Sequence, residues 1–227
     1  MKEQWDWSSG KKEILDLDSL SSSQELIWTD DFTFSPDGEK VALKMYYGEG
    51  EFRIAVNGSI LDDSFDNVWY LCFSPQCELT ALTSSMGMWT LSTENGPWPN
   101  EYDYIWDTRF NLSGDYTAVA IQKQGKYGMA VNGEDWENLY PYATDFTINP
   151  AGSDTACVVQ TENLEEADIE SFREGVFTVA INAEPWNNTF MNVWNPCFNP
   201  SGDRAAATVR LSHFDYTVAV DGNVWEK

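Results

Sequence analysis

Histidine occurs once, at His213, and basic residues number only 13 against 37 acidic ones in a chain of 227, a formal charge of −24. A lone imidazole leaves Ser/His/Asp chemistry resting on one residue, in Leu211-Ser212-His213-Phe214-Asp215, with no nucleophile elbow. The shortage of Lys and Arg argues against nucleic acid, whose phosphates such residues must neutralise. It argues equally against docking on anionic lipid. Cysteine is scarce too: Cys72, Cys77, Cys157 and Cys197 form no CxxC or CxxCH. Covalent c-type haem, a zinc ribbon and a ferredoxin-like cluster are therefore unsupported. There is no P-loop and no GxGxxG, and Gly48-Glu49-Gly50 reads as a hairpin turn. Long apolar runs are missing, so neither a signal peptide nor a bilayer span is read, and the sequence reads as cytoplasmic, without direct membrane insertion.

What is present is aromatic and repetitive. The hydrophobic fraction is 42% and the aromatic fraction 15%, with eleven Trp, which excludes a disordered chain. Phe34-Ser35-Pro36-Asp37-Gly38, Phe73-Ser74-Pro75-Gln76-Cys77, Phe110-Asn111-Leu112-Ser113-Gly114, Ile148-Asn149-Pro150-Ala151-Gly152 and Phe198-Asn199-Pro200-Ser201-Gly202 are copies of one turn. They are spaced by 39, 37, 38 and 50 residues. A second phrase runs in phase: Ala55-Val56-Asn57-Gly58, Ala130-Val131-Asn132-Gly133, Ala180-Ile181-Asn182-Ala183 and Ala219-Val220-Asp221-Gly222. Three residues after that Gly slot comes Leu61, Trp98, Trp136, Trp186 or Trp225.

Periods near forty with several short strands per unit belong to propeller blades. In the third unit Trp106 to Phe110 reads as a strand, Tyr116 to Ile121 as a second and Tyr127 to Val131 as a third. Asn132-Gly133 is a strong hairpin signal, and the fourth strand runs from Asp135 past Tyr140. The fold class is therefore all-β: a β-propeller of four-stranded antiparallel blades with about five repeats. Stacked blades bury the recurrent Trp and Phe between them. The small residues Ala42, Ala81, Ala118, Ala120 and Ala205 to Ala207 suit the crowded part of each blade. Cys72 and Cys197 hold one repeat position, as reduced packing residues rather than a disulfide framework.

Residues 1–227 read as a single propeller domain, with a leader at 1–27 and repeats beginning near 28, 69, 106, 144 and 194. The leader holds Trp5-Asp6-Trp7, a turn at Ser8-Ser9-Gly10, a strand over Glu13 to Asp18 and a Ser21-Ser22-Ser23 loop. Leu26-Ile27-Trp28 parallels Asn67-Val68-Trp69, Tyr104-Ile105-Trp106 and Asn192-Val193-Trp194. Either the leader supplies an outer strand that closes a five-bladed ring, or the chain is the first part of a larger, here incomplete, propeller. An insertion at 161–173 accounts for the 50-residue spacing and reads as a short helix or a long hairpin loop. It is the best local candidate for a specific contact.

Acidic residues fall mostly in turns and at strand ends: Asp37, Asp62, Asp63, Asp66, Asp115, Glu134, Asp135 and Asp203. Such acids make Asx-type backbone bonds. No EF-hand loop is present, and nothing marks the converging carboxylates a propeller glycosidase needs. No residue is singled out as catalytic, cofactor-binding or metal-ligating.

The Phe-Ser-Pro-Asp-Gly turn before a small apolar strand resembles the WD40-like and TolB-type propeller repeats. Tyr127 to Trp136, Phe214 to Trp225, the run from Ala167 to Ile181 and the opening Trp5-Asp6-Trp7 together resemble more closely the TmcD family. These are tryptophan-rich subunits of the Tmc transmembrane electron-transfer complex of sulfate-reducing bacteria, and the resemblance spans nearly the whole chain. It implies a non-catalytic, cofactor-free scaffold in the cytoplasm, peripheral to the inner membrane through its partners. Those partners would be an iron–sulfur protein of the heterodisulfide-reductase type and a membrane cytochrome b, with a periplasmic multihaem cytochrome c completing the complex. The rival expectations are a carbohydrate- or protein-binding propeller module using exposed Trp, and, with less support, a propeller hydrolase.

Overall fold

The computed structural model describes residues 13–20, 26–164 and 168–225. Trp5-Asp6-Trp7, the Ser8-Ser9-Gly10 turn, the Ser21-Ser22-Ser23 loop and part of the insertion lie outside the described residues. The chain divides into two compact units, Met1–Tyr102 and Asp103–Lys227.

The first unit opens with a helical turn, α1 (Leu17–Leu20). The strand expected over Glu13 to Asp18 is absent: Leu15, with Leu20 just beyond it, caps a neighbouring sheet instead of pairing in a ladder. Blade 1 is β1 (Trp28–Phe34), β2 (Val41–Gly48), β3 (Glu51–Val56) and β4 (Ser59–Ile60). Blade 2 is β5 (Asn67–Phe73), β6 (Leu79–Ser85), β7 (Met88–Thr93) and β8 (Gly96–Pro97). The second unit holds three more. Blade 3 is β9 (Tyr104–Phe110), β10 (Thr117–Lys123), β11 (Lys126–Val131) and β12 (Glu134–Asp135). Blade 4 is β13 (Ala143–Ile148), β14 (Thr155–Gln160), β15 (Phe177–Ile181) and β16 (Glu184–Pro185), with helix α2 (Ile169–Glu174) between β14 and β15. Blade 5 is β17 (Asn192–Phe198), β18 (Ala205–Ser212), β19 (Asp215–Val220) and β20 (Asn223–Val224).

Every sheet runs in sequence order and every pairing is antiparallel, the architecture of propeller blades. Two polar devices make the units alike. At the hairpin between third and fourth strands, Asn57, Asn132, Asn182 and Asp221 take positive φ of 48–49°. Asn and Asp tolerate that region because a short polar side chain can bond locally. Here the side-chain oxygen accepts from the first N–H of the second strand: Val41, Thr117, Thr155 and Ala205, at 2.8–2.9 Å. In blade 2 Glu94 takes over, accepting from Leu79 at 3.3 Å. At the turn before the second strand, Gly38, Gly114 and Gly202 have φ of 74–81°, and Cys77 is forced to the same conformation at 64°.

The fourth strand is shorter than the sequence implies. Pairing stops at Asp135, the Trp136 N–H still donates to Met129 O, and the chain rejoins β11 only through a Tyr127–Tyr140 bridge. The same aromatic bridge recurs as Phe52–Phe65, Trp89–Tyr102 and Phe177–Phe190. Bulky side chains at Trp136 and its neighbours leave the ladder to reach the next sheet, which a two-residue period does not reveal.

Trp28 also differs from expectation. It pairs with Tyr46 at the start of β1, the place held by Asn67, Tyr104 and Asn192 in their blades. Asp30, not Trp28, matches Trp69, Trp106 and Trp194. A two-residue slip keeps every side chain on the same face, so alternation alone does not detect it. Among the described residues, no helix is long and apolar enough to cross a membrane.

Candidate functional site

Of the acids singled out in the sequence, Asp37, Asp115 and Asp203 are held in turns. Ser35 Oγ donates to Asp37, Ser113 Oγ to Asp115 and Ser201 Oγ to Asp203, each at 2.6 Å. These hydroxyl bonds hold the carboxyls of Asp37 and Asp203 below the usual carboxylate range. Asp66 accepts from the Met86 N–H at 2.6 Å, and Asp135 pairs with Lys123 at 2.7 Å. His213 lies in an exposed hairpin, its Nδ1 3.2 Å from Arg210 and its ring edge-on to Phe214. Arg210 is thus the group beside it, not a nucleophile. Burial pushes the thiols of Cys157 and Cys72 up, which keeps them protonated and unreactive. Cys72 and Cys197 share one register, pairing with the second residues of β6 and β18, but only Cys72 is half-buried; Cys197 is exposed and is not the packing residue expected of it. Among the described residues, no three of His, Cys, Asp and Glu converge on a point where a metal ion would sit.

An open groove of about 460 Å³ lies in the second unit, lined by Tyr116, Asn132, Glu134, Asp135, Trp136 and Glu137, with Ser153 and Asn182 opposite. Asn132 and Asn182 are already committed to the backbone latches of their blades. Its walls are therefore mostly hairpin ends rather than a set of groups aimed at a ligand.

The repeat Trp are largely seam residues. Trp136 is 7% exposed and packs on Cys157, Ala180 and Ala183 of blade 4, its indole N–H donating to Thr155 Oγ1 at 2.8 Å. Trp186 occupies the corresponding seam between blades 4 and 5, against Ala207 and Ala219. A sugar-binding reading needs equivalent Trp to be accessible in each unit, and buried Trp136 removes that basis.

The residues with the character of a contact surface lie elsewhere. In the first unit, β1 lies against β5. Together they expose Trp28, Phe32, Phe34, Trp69 and Tyr70, with Ile27 beside them. Trp28 packs tilted against Tyr46 with centroids 5.2 Å apart, and Tyr46 against Phe52 at 4.9 Å. Lys44 Nζ sits 5.6 Å over the Trp28 ring while ion-paired with Asp31, so its charge is spread over an aromatic floor. Trp69 packs on Trp89 at 4.7 Å. Several large aromatics left exposed on two adjoining strands are the feature here with the character of a contact surface.

No family model matches the sequence, and no curated protein matches it. Among solved structures the chain is similar to TolB from Acinetobacter baumannii, at 16% identity and a TM-score of 0.39, covering 86% of this chain. It spans only 52% of that TolB. It is similar also to the β-propeller domain of the Trilobed protease from Pyrococcus furiosus, at 11% identity and a TM-score of 0.47, over 87% of this chain and 68% of that one. The putative TolB from Agrobacterium tumefaciens gives 13% and 0.39, over 88% and 79%. Likeness at this level concerns the fold alone.

The sequence reading missed the bulge that shapes every first strand. Asp31, Tyr70, Asp107, Asp145 and Asn195 take φ between 49 and 55° where the ladder slips. The signal was there as Asp or Asn at the repeat interval, with Tyr70 alone departing from it. Asp145 also accepts from the Asn195 N–H at 3.1 Å, tying the bulges of blades 4 and 5 together.

Proposed function

We propose that this protein is a non-catalytic, cofactor-free interaction scaffold, a cytoplasmic subunit of a Tmc-type membrane-associated electron-transfer complex. Its partners are an iron–sulfur protein and a membrane cytochrome b. The observation that carries the scaffold reading is the exposed aromatic surface on β1 and β5, where Phe34 is 62% and Tyr70 59% exposed. Side chains of that size left in water on adjoining strands gain most from burial against another protein. The narrower assignment to a Tmc-type complex rests on the repeat phrases and the tryptophan-rich composition.

The test is co-purification from a cell that carries such a complex. Tagged wild-type chain is expected to bring down the iron–sulfur and cytochrome b subunits, and Phe34→Asp with Tyr70→Asp to lose them while keeping the β spectrum. Retention by the double variant would move the contact off this surface. Failure of the wild type to recover either subunit would overturn the Tmc assignment.

A further inference from the structure

The first strands of the blades share a two-residue phrase at their bulge. It is Trp106-Asp107 in blade 3, Thr144-Asp145 in blade 4 and Trp194-Asn195 in blade 5. The first unit splits that phrase: blade 1 holds two acids, Asp30-Asp31, and blade 2 two aromatics, Trp69-Tyr70. Both strands belong to one compact unit, and β1 lies against β5. Tyr70 is the costly member. Its φ of 50° is one that Asp and Asn tolerate and that a bulky side chain adopts only under strain. With 59% of its surface exposed, packing does not offset that strain. Strain left without such an offset is a mark of function.

Charge decides what such a surface takes. From Leu26 to Tyr102 the bases are Lys40, Lys44 and Arg53, and each is already ion-paired, with Glu94, Asp31 and Glu51. Asp30 is exposed and has no ion pair among the described residues. Blade 1 shows the same scheme satisfied internally: the Lys44 ammonium pairs with Asp31 and lies 5.6 Å over the Trp28 ring. An acid pair against an aromatic pair offers those two contacts, carboxylate and ring face, to a second cation. We propose, resting on the reading of β1 and β5 as a contact surface, that it takes a basic segment of a partner protein. The arginine or lysine side chains of that segment are held by Asp30 and by the rings of Trp69 and Tyr70. Arginine suits the place better, because its planar guanidinium both stacks on rings and pairs with carboxylates.

Fluorescence anisotropy of the full chain with a labelled peptide of alternating arginine and serine tests this, against the same peptide with citrulline for arginine. Physiological salt screens exposed charges beyond about 8 Å, so the overall field of the protein contributes little. The arginine peptide is expected to bind about tenfold tighter than the citrulline one, several ion-pair and ring contacts being lost together. Tyr70→Asn, which installs the residue blade 5 has at this place, should weaken binding about two- to fivefold and leave thermal stability unchanged or higher. Asp30→Asn should weaken it to a similar extent. Asp63→Asn removes the same charge beside Gly96, on the far strand of blade 2, and should change nothing. Equal binding of the two peptides would overturn the proposal, as would an unchanged affinity in Tyr70→Asn or equal effects of Asp63→Asn and Asp30→Asn. A less stable Tyr70→Asn chain would make Tyr70 structural and overturn it too. If the arginine peptide fails to bind while Phe34→Asp with Tyr70→Asp still loses the native partners, the contact surface stands and its basic occupant falls.

Discussion

Blades 3 and 4 put the same side chain into the blade that follows, and only one of them finds a partner for it. The Trp136 indole N–H donates to Thr155 Oγ1, both groups buried in the seam. The Trp186 indole nitrogen is equally buried and has no hydrogen-bond partner among the described residues. The difference lies in one residue of the receiving blade: Ala205 occupies on β18 the place Thr155 has on β14. A buried N–H without an acceptor costs roughly 1–3 kcal/mol. The repeat thus keeps the volume of the Trp, and the packing it brings, even where the polar bond is missing. Shape is the stronger constraint on these seams.

The largest way to break the comparison is to delete the ring. Trp136→Ala should lose about 3–5 kcal/mol, by transfer and cavity together, seen as a fall in the urea midpoint. Thr155→Val comes next, because it makes the first seam resemble the second. It should cost about 1–3 kcal/mol with the denaturant slope unchanged, and a neutral result would mean that the bond adds nothing to the packing. The reverse exchange is smaller: Ala205→Thr should raise stability by about 1 kcal/mol, provided the added methyl finds room beside Trp186. The turns extend the same lesson. Cys77 sits at φ 64° where Gly38, Gly114 and Gly202 do so freely. Cys77→Gly should gain about 0.5–1 kcal/mol, the left-handed cost of a side chain less the chain entropy of glycine, read from thermal unfolding.

Most of the fold was legible because the sequence states it five times. The hairpin phrase ending in Asn132-Gly133 and the turn ending in Gly114 each bound a strand, and the structure puts strands between them. What stayed hidden was either one-off or indifferent to face. The leader has no second copy to compare, so Leu15 and Leu17 read as alternation, although Leu15 and Leu20 cap blade 1. Trp28 slipped by two residues because its face did not change. The bulges at Asp107 and Asp145 escaped because a positive φ leaves no mark in hydropathy. Seam and surface were harder still: Trp136 and Trp225 stand at the same repeat position, yet the first is buried and the second exposed.

That contrast gives the most direct test of an architecture built on Trp-filled seams. Indole N–H resonances, assigned by single Trp→Phe substitutions, can be followed in hydrogen exchange on the wild-type chain. The account predicts that Trp136 exchanges slowest, held by Thr155, and that Trp186 is protected by burial alone and exchanges faster. Trp225 should exchange at the rate of a free indole. Equal protection of Trp136 and Trp225 would contradict it.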